Sequence, residues 1–429
     1  MPNSDLAQRP GARDQSGSKK LLFGCTLVVL FLAMLFGMEA AVRGVLWKRY
    51  RATGPNTLML RDQYVAWRNN PAYRREDIRH NLQGFRRSVD TPREKPPGTV
   101  RIFLLGGSTA WGAGSGFSQF DRKHARLDND QTIDAWLERK FNVNFPEKRW
   151  EVINAASSGY RIHQQLALIE SVIVGYQPDQ LILLDGYNDV IQLFQAATQD
   201  RLDTFNRYAI DPDFQLLANP KSLASLWFFT HSWLRANSSL MRLAEDRGMT
   251  LVNSPWRGKE TSKRPQAFTE PVQYSDLDPK ARQQADAALR KSDYYAHTAQ
   301  QIRAVSNLEG IRPVFLLQPI LALSHKPFTE IEKKMRAYDV APGGPQYVYV
   351  LRELYRKISG EMAAAAEKDG FRFEDMETLY DRWPEQAFSD FAHLTPEGNR
   401  AIAEEVFKRF GQSFADQAGV RAGTRTAVP

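Results

Sequence analysis

Cysteine is almost missing from this 429-residue chain: Cys25 is the only one, and it lies in an apolar N-terminal run. A single thiol excludes an intrachain disulfide and a cysteine-based metal site. It leaves the compartment open, because exported proteins of this size can rely on their core alone. Histidine is scarce as well. Of seven, His80, His124, His163, His231, His297 and His325 show no metal-ligand spacing and read as surface or satisfied core residues. No internal repeat and no nucleic-acid-binding motif is present. Charge of one sign is not in large excess: 57 Lys and Arg against 49 Asp and Glu give a net +8. Half of that excess falls in Ala72–Arg101, with eight basic and four acidic residues, which reads as a basic collar facing acidic lipid or glycan. With 42% hydrophobic and 25% charged residues, a wholly disordered, collagen-like or multispanning chain is excluded.

Long hydrophobic runs are equally rare, and the exception is informative. Leu21–Met38 is 18 residues without a charge, about 27 Å of helix, close to the thickness of a bilayer core. Lys19 and Lys20 precede it, and Glu39 and Arg43 end it. No small-x-small cleavage pair follows at the expected place, so an uncleaved signal anchor is expected over a cleaved signal peptide or a buried core helix. Basic residues flank both sides (Arg9, Arg13, Lys19 and Lys20 against Arg43, Lys48, Arg49 and Arg51), so the positive-inside count is a tie. The short N-terminal tail favours tail inside and bulk outside, on the periplasmic or extracellular side.

The expected organisation is a disordered cytoplasmic tail over 1–20, the anchor over 21–38, a connector over 39–97, a main domain over 98–411 and a flexible tail over 412–429. Within the main domain, strand-like runs occur at Thr99–Leu105, Trp150–Ala155, Gln180–Leu184, Pro313–Leu317 and, more weakly, Phe371–Glu374. Helical patterns lie between them at Thr132–Phe141, Ile162–Val174, Ala281–Leu308 and Tyr347–Lys368. Short apolar strands alternating with helices predict a parallel sheet covered on both faces, an α/β fold. An insertion near 191–280 separates the third and fourth strands. Its stretch Leu223–Leu243 carries Trp227, Phe228, Phe229 and Trp233, which read either as a helix packed on the core or as a lid or surface contacting acyl chains or membrane.

The first three strands each run into Gly, Ser, Asn or Asp, at the ends where open α/β sheets place their sites. Ser108 follows Gly106-Gly107 directly after a buried strand, and glycines allow a tight turn that exposes a side chain. A serine hydroxyl needs a base to become a nucleophile. The candidate base is His393, three residues after Asp390, so that a carboxylate can hold one ring nitrogen. An oxyanion hole would need donors aimed at the developing negative charge. The backbone N–H groups of Ser108 and Gly159 and the side-chain amide of Asn188 can serve. Each piece alone has an ordinary explanation as a turn or a helix cap; together and in order they describe an esterase.

These segments resemble the SGNH branch of the GDSL esterase/lipase superfamily, over roughly Asn81 to Phe410 without the insertion. Leu105-Gly106-Gly107-Ser108-Thr109 resembles the first block, Gly159 the second-block glycine, and Gly186-Tyr187-Asn188-Asp189 the third block. Asp390–His393 followed by Leu394-Thr395-Pro396-Glu397-Gly398-Asn399 resembles the fifth. Asn81–Arg86 and Leu317-Gln318-Pro319 look like membrane-anchored bacterial members. The resemblance implies a three-layer α/β/α sandwich with a flavodoxin-like parallel sheet, Ser108 as nucleophile, His393 as base, Asp390 as its orienter, and Ser108, Gly159 and Asn188 as the oxyanion hole. One departure stands out: Gly107 occupies the position of the family's usual Asp.

The expected function is hydrolysis of carboxylic O-acyl esters on a glycan or a lipid, with no metal or organic cofactor, no nucleic-acid partner and the membrane as the partner of the N-terminal helix. An O-acyltransferase on an envelope polysaccharide would use the same triad, and a catalytically silent glycan-binding scaffold is the third reading. A phosphoesterase is disfavoured, since there is no metal-ligand cluster and no Arg or Lys within the site motifs.

Overall fold

Four short apolar runs find the same solution, burial within one sheet, and a fifth, half-buried strand closes its edge. In a computed structural model of the chain, strands β1 (Thr99–Gly106), β2 (Arg149–Asn154), β3 (Gln180–Asp185), β4 (Arg312–Leu317) and β5 (Arg372–Asp375) pair in parallel in the order β2-β1-β3-β4-β5. The structure describes residues 15–45, 58–198, 230, 238–241, 273–338 and 345–424, apart from loop positions 63, 72, 76–77, 116–117 and 119. Every residue of β1 and β3 is buried, which explains their continuous apolar character without alternation. This strand order is the flavodoxin-like, doubly wound one, with its switch point between β1 and β3. Ser108 follows β1 and Asn188 follows β3, so the topology delivers both to that crevice.

The chain divides into two compact units, one of Met1–Pro55 with Lys221–Gly258 and one of Asn56–Pro220 with Lys259–Pro429. In the first, helix α1 spans Gln15–Val45. Its part Leu22–Gly44 is long and apolar enough to cross a membrane. The Glu39 carboxylate accepts hydrogen bonds from Arg43 Nε (2.6 Å), Ser238 Oγ (2.7 Å) and the backbone N–H groups of Ser239 (2.7 Å) and Leu240 (3.0 Å). Trp227, Phe228, Phe229 and Trp233 lie outside the described residues.

In the second unit, α2 (Ser108–Trp111), α3 (Ile133–Asn144), α4 (Ile162–Ser171), α5 (Tyr187–Thr198), α6 (Pro279–Leu289), α7 (Asp293–Leu308), α8 (Glu330–Tyr338), α9 (Pro345–Asp369) and α10 (Pro396–Thr424) surround the sheet. Helices α3 and α10 pack together, and α4, α7 and α9 form another layer. The expected single helix over 281–308 is two. The wholly buried Ser292 marks the break, its hydroxyl donating to Leu289 O (3.2 Å) and meeting Glu361 on α9.

Two segments differ from the sequence reading. The stretch expected as a connector over 39–97 belongs to the larger unit from Asn56 on. Buried Arg101 explains part of this: it pairs with Glu151 at 2.9 Å and also donates to Pro92 O and Tyr176 O. An interior guanidinium costs too much unless its donors are satisfied, and the pre-strand backbone satisfies them. The tail beyond Gln412 was expected to fray but is helical to Thr424. Phe414 is wholly buried, and Phe141 stacks between it (6.1 Å) and Trp150 (4.4 Å). Each such aromatic contributes about 1.5–3 kcal/mol by burial, enough to hold the last turns of a helix.

Candidate active site

The turn after β1 is forced by its glycines. Gly106 has φ +147°, and a Cβ there would collide with the Leu184 carbonyl and with Ala110. Gly107 has ordinary backbone angles and is glycine for a different reason: a Cβ would collide with the Asn188 amide. Ser108 then opens α2 with a half-buried side chain.

Ser108 Oγ lies 2.7 Å from His393 Nε2. His393 Nδ1 lies 2.7 Å from Asp390 Oδ2, and Asp390 Oδ1 accepts the backbone N–H groups of Ala392 (2.9 Å) and His393 (2.8 Å). The Asp390 carboxylate therefore folds its own loop before it touches the ring. Burial pushes the Asp390 carboxyl up, but the charge and hydrogen bond of His393 and the two backbone donors outweigh it and hold it below the usual range. An ionised Asp390 requires a proton on His393 Nδ1, leaving Nε2 free to accept from Ser108.

The second-block loop closes against this group. Asn188 Nδ2 donates to Tyr160 O at 2.9 Å, and Tyr160 O is 3.3 Å from where a Gly107 Cβ would stand. Gly159 precedes it with φ +80°, a conformation that suits glycine. Among the described residues the backbone N–H groups of Ser108 and Gly159 donate to no protein acceptor. The five residues expected from sequence are thus brought to one place. No group of three or more His, Cys, Asp or Glu among the described residues could hold a metal ion.

Several supporting residues escaped sequence reading. Thr109 Oγ1 donates to Ala392 O (3.1 Å) and accepts from Gln318 Nε2 (3.1 Å), joining the Ser108 turn, the His393 loop and the end of β4. Arg86, wholly buried, donates to Trp111 O and Gly112 O at 2.7 Å each, fixing the end of α2. Buried Glu332 accepts Ala387 N–H (2.9 Å) and pairs with buried Lys326 (2.6 Å), anchoring the approach to Asp390. Arg86 and Gln318 lie in the two segments noted for their likeness, which was the available signal. Phe391 and Tyr187 rings sit 5.3 Å apart, and Phe391 is 6.3 Å from the His393 ring, giving the site an aromatic wall. A further Asp–His pair was missed although its spacing was visible: His124 Nδ1 lies 2.7 Å from Asp121 Oδ2.

The model of the GDSL-like Lipase/Acylhydrolase family matches residues 104–401. The chain belongs to this family. Its reaction class is carboxylic ester hydrolysis. Among solved structures, this member is similar to the acetyl xylan esterase AlAXEase, with 11% identity, 72% of this chain and 99% of that one covered and a TM-score of 0.33. A catalytic mutant of the acetylxylan esterase Axe2 from Geobacillus stearothermophilus gives 11%, 73%, 94% and 0.36. An alpha/beta hydrolase enzyme from the metagenome of Lake Arreo, Spain, gives 15%, 73%, 95% and 0.33. No curated protein matches the chain.

Proposed function

We propose that the chain is a membrane-anchored serine esterase that removes O-acyl groups from a glycan or a lipid. Ser108 attacks the ester carbonyl while His393 takes its proton, and Asp390 holds the imidazole and stabilises its positive charge. The carbonyl oxygen becomes an anion that accepts from the Ser108 and Gly159 backbone N–H groups and the Asn188 amide. The alcohol leaves with the proton from His393. Water, deprotonated in turn by His393, hydrolyses the acyl-enzyme and restores Ser108. The observation that carries the reading is the unbroken contact Ser108–His393–Asp390, 2.7 Å at each step. A silent scaffold would have no need of it. The Leu22–Gly44 helix supports the anchor; the orientation with the hydrolase outside is part of the proposal.

The test uses the full chain in membranes or detergent with p-nitrophenyl esters of increasing chain length, with and without sugar acceptors. Ser108→Ala should abolish hydrolysis and labelling by a fluorophosphonate probe. Folded wild-type protein that resists the probe and matches Ser108→Ala on every ester and acceptor would return the scaffold reading. Products acylated on the sugar would make the protein a transferase. Protease added to intact spheroplasts should digest the hydrolase; full protection would reverse the orientation.

A further inference from the structure

Two of the proposed oxyanion donors sit on different segments, Gly159 in the loop between β2 and α4 and Asn188 at the start of α5. Something must hold them in register, because oxyanion donors act at about 2.7–3.1 Å from where the anion develops. Asn188 Nδ2 makes one tie, to Tyr160 O at 2.9 Å. The next residue makes another: Asp189 Oδ1 accepts the Ile162 backbone N–H at 3.1 Å and the Tyr294 hydroxyl from α7. Consecutive residues of α5 thus grip consecutive turns of the Gly159 segment, and Tyr294 braces the grip from behind.

We propose that Asp189 is the positioning residue of the oxyanion hole, clamping the Gly159 segment to the helix that carries Asn188. The inference rests on the reading of Gly159 and Asn188 as oxyanion donors. Asp189 is wholly buried, and the Ile162 N–H that it accepts opens α4, so the same carboxylate also satisfies a helix N-terminus. Asp185, at the end of β3, is buried too; Gln165 Nε2 donates to its Oδ1 at 2.5 Å. The Oδ2 atoms of both aspartates have no hydrogen-bond partner among the described residues. Burial, and then the Asp189 charge, pushes Asp185 well above the usual carboxylate range. Burial also lifts Asp189, to about 6, against the pull of Tyr294, the Ile162 N–H and Arg161. Tyr295 on α7 and Tyr355 on α9 complete the surroundings. Asp189 accepts two hydrogen bonds and Asp185 one, so of the two carboxylates the charged form of Asp189 is the better supported.

The experiment is steady-state kinetics of the full chain, with inhibition by an alkylboronic acid as a tetrahedral analogue. Asp189→Ala should lower kcat roughly 10²-fold, the scale of one lost oxyanion donor, with KM within about 3-fold, and should weaken the boronate in proportion to kcat/KM. Asp189→Asn keeps an acceptor of the same shape and should recover kcat to within about 5-fold. Asp189→Ser, too short to reach Ile162, reads the same loss if the alanine variant does not fold. Adding Asn188→Ala to Asp189→Ala should cost less than the product of the single losses, since both act on one hole. Asp189→Ala or Asp189→Ser with kcat within about 3-fold of wild type overturns the proposal, as do equal kcat losses in Asp189→Asn and Asp189→Ala. Near-normal kcat in Asn188→Ala alone would instead remove the oxyanion reading beneath it.

Discussion

Asp121–His124 and Asp390–His393 are the same device built twice. In both, a buried aspartate three residues before a histidine puts Oδ2 2.7 Å from Nδ1 and accepts the histidine backbone N–H on Oδ1, at 3.1 Å and 2.8 Å. Both carboxyls are pushed up by burial, and both end below their ordinary range because the histidine and further hydrogen bonds outweigh it. They differ in what lies beyond the ring. His393 Nε2 meets Ser108 Oγ, whereas among the described residues Ser115 reaches His124 only through its backbone N–H, which donates to His124 O (2.8 Å). Gln386 instead ties Asp121 to the approach of the other loop, donating to Asp121 Oδ2 (2.6 Å) and Phe388 O (2.9 Å). The spacing therefore specifies an oriented imidazole, and only at His393 does the sheet deliver a serine hydroxyl to its far nitrogen.

The comparison is sharpest when the rings are removed. His393→Ala should reduce kcat for a p-nitrophenyl ester by roughly 10⁴–10⁶, because members of one catalytic unit fail together. His124→Ala should leave kcat within about 3-fold and lower Tm by a few degrees, the shift for about 1 kcal/mol. A 10²-fold loss of kcat in folded His124→Ala would break the distinction and make the second pair part of the catalytic apparatus.

The carboxylates should separate next, by less. Asp390→Asn leaves the ring in place but offers Nδ1 the wrong partner for the tautomer, at a cost of up to about 10⁴ in kcat. Asp121→Asn should change kcat by less than about 5-fold, and any loss should track Tm, since its route to the site runs through Gln386. Measuring kcat and Tm on both variants checks this; a kcat loss in Asp121→Asn at unchanged Tm would count against it.

How far the sequence reached follows from the same contrast. Four strands were legible because parallel strands buried on both faces are written as continuous apolar runs; the fifth, Arg372–Asp375, is a half-buried edge strand and was correspondingly faint. That Ser108, Asn188, Asp390 and His393 would meet was legible as an expectation because each sits in a turn whose residue types are constrained. Thr109, Arg86 and Glu332 were not, since their partners are backbone carbonyls and amides of distant segments, and such bonds leave no mark on composition. The helical tail was missed because Phe410 and Phe414 are meaningful only against Phe141 and Arg372. The Asp121 pair was missed for the opposite reason: the spacing was present, but no turn motif or following block set it apart.

The smallest effect tests what the two pairs share. Each carboxyl has a folded-state pKa below its unfolded value, so each contributes stability that is present above about pH 4, the ordinary range for aspartate, and is lost as pH falls through the folded-state pKa. At pH 7, Asp121→Asn and Asp390→Asn should both be less stable than wild type, by about 1–3 kcal/mol for weakened charge-assisted hydrogen bonds. On acidification wild type loses this contribution and the variants have none to lose, so the gap should narrow for both as pH falls below about 4. Urea unfolding at pH 7, 5 and 3 reads the difference directly. A gap that closes for one variant and stays constant for the other would show that the pairs, alike in geometry, are not alike in charge.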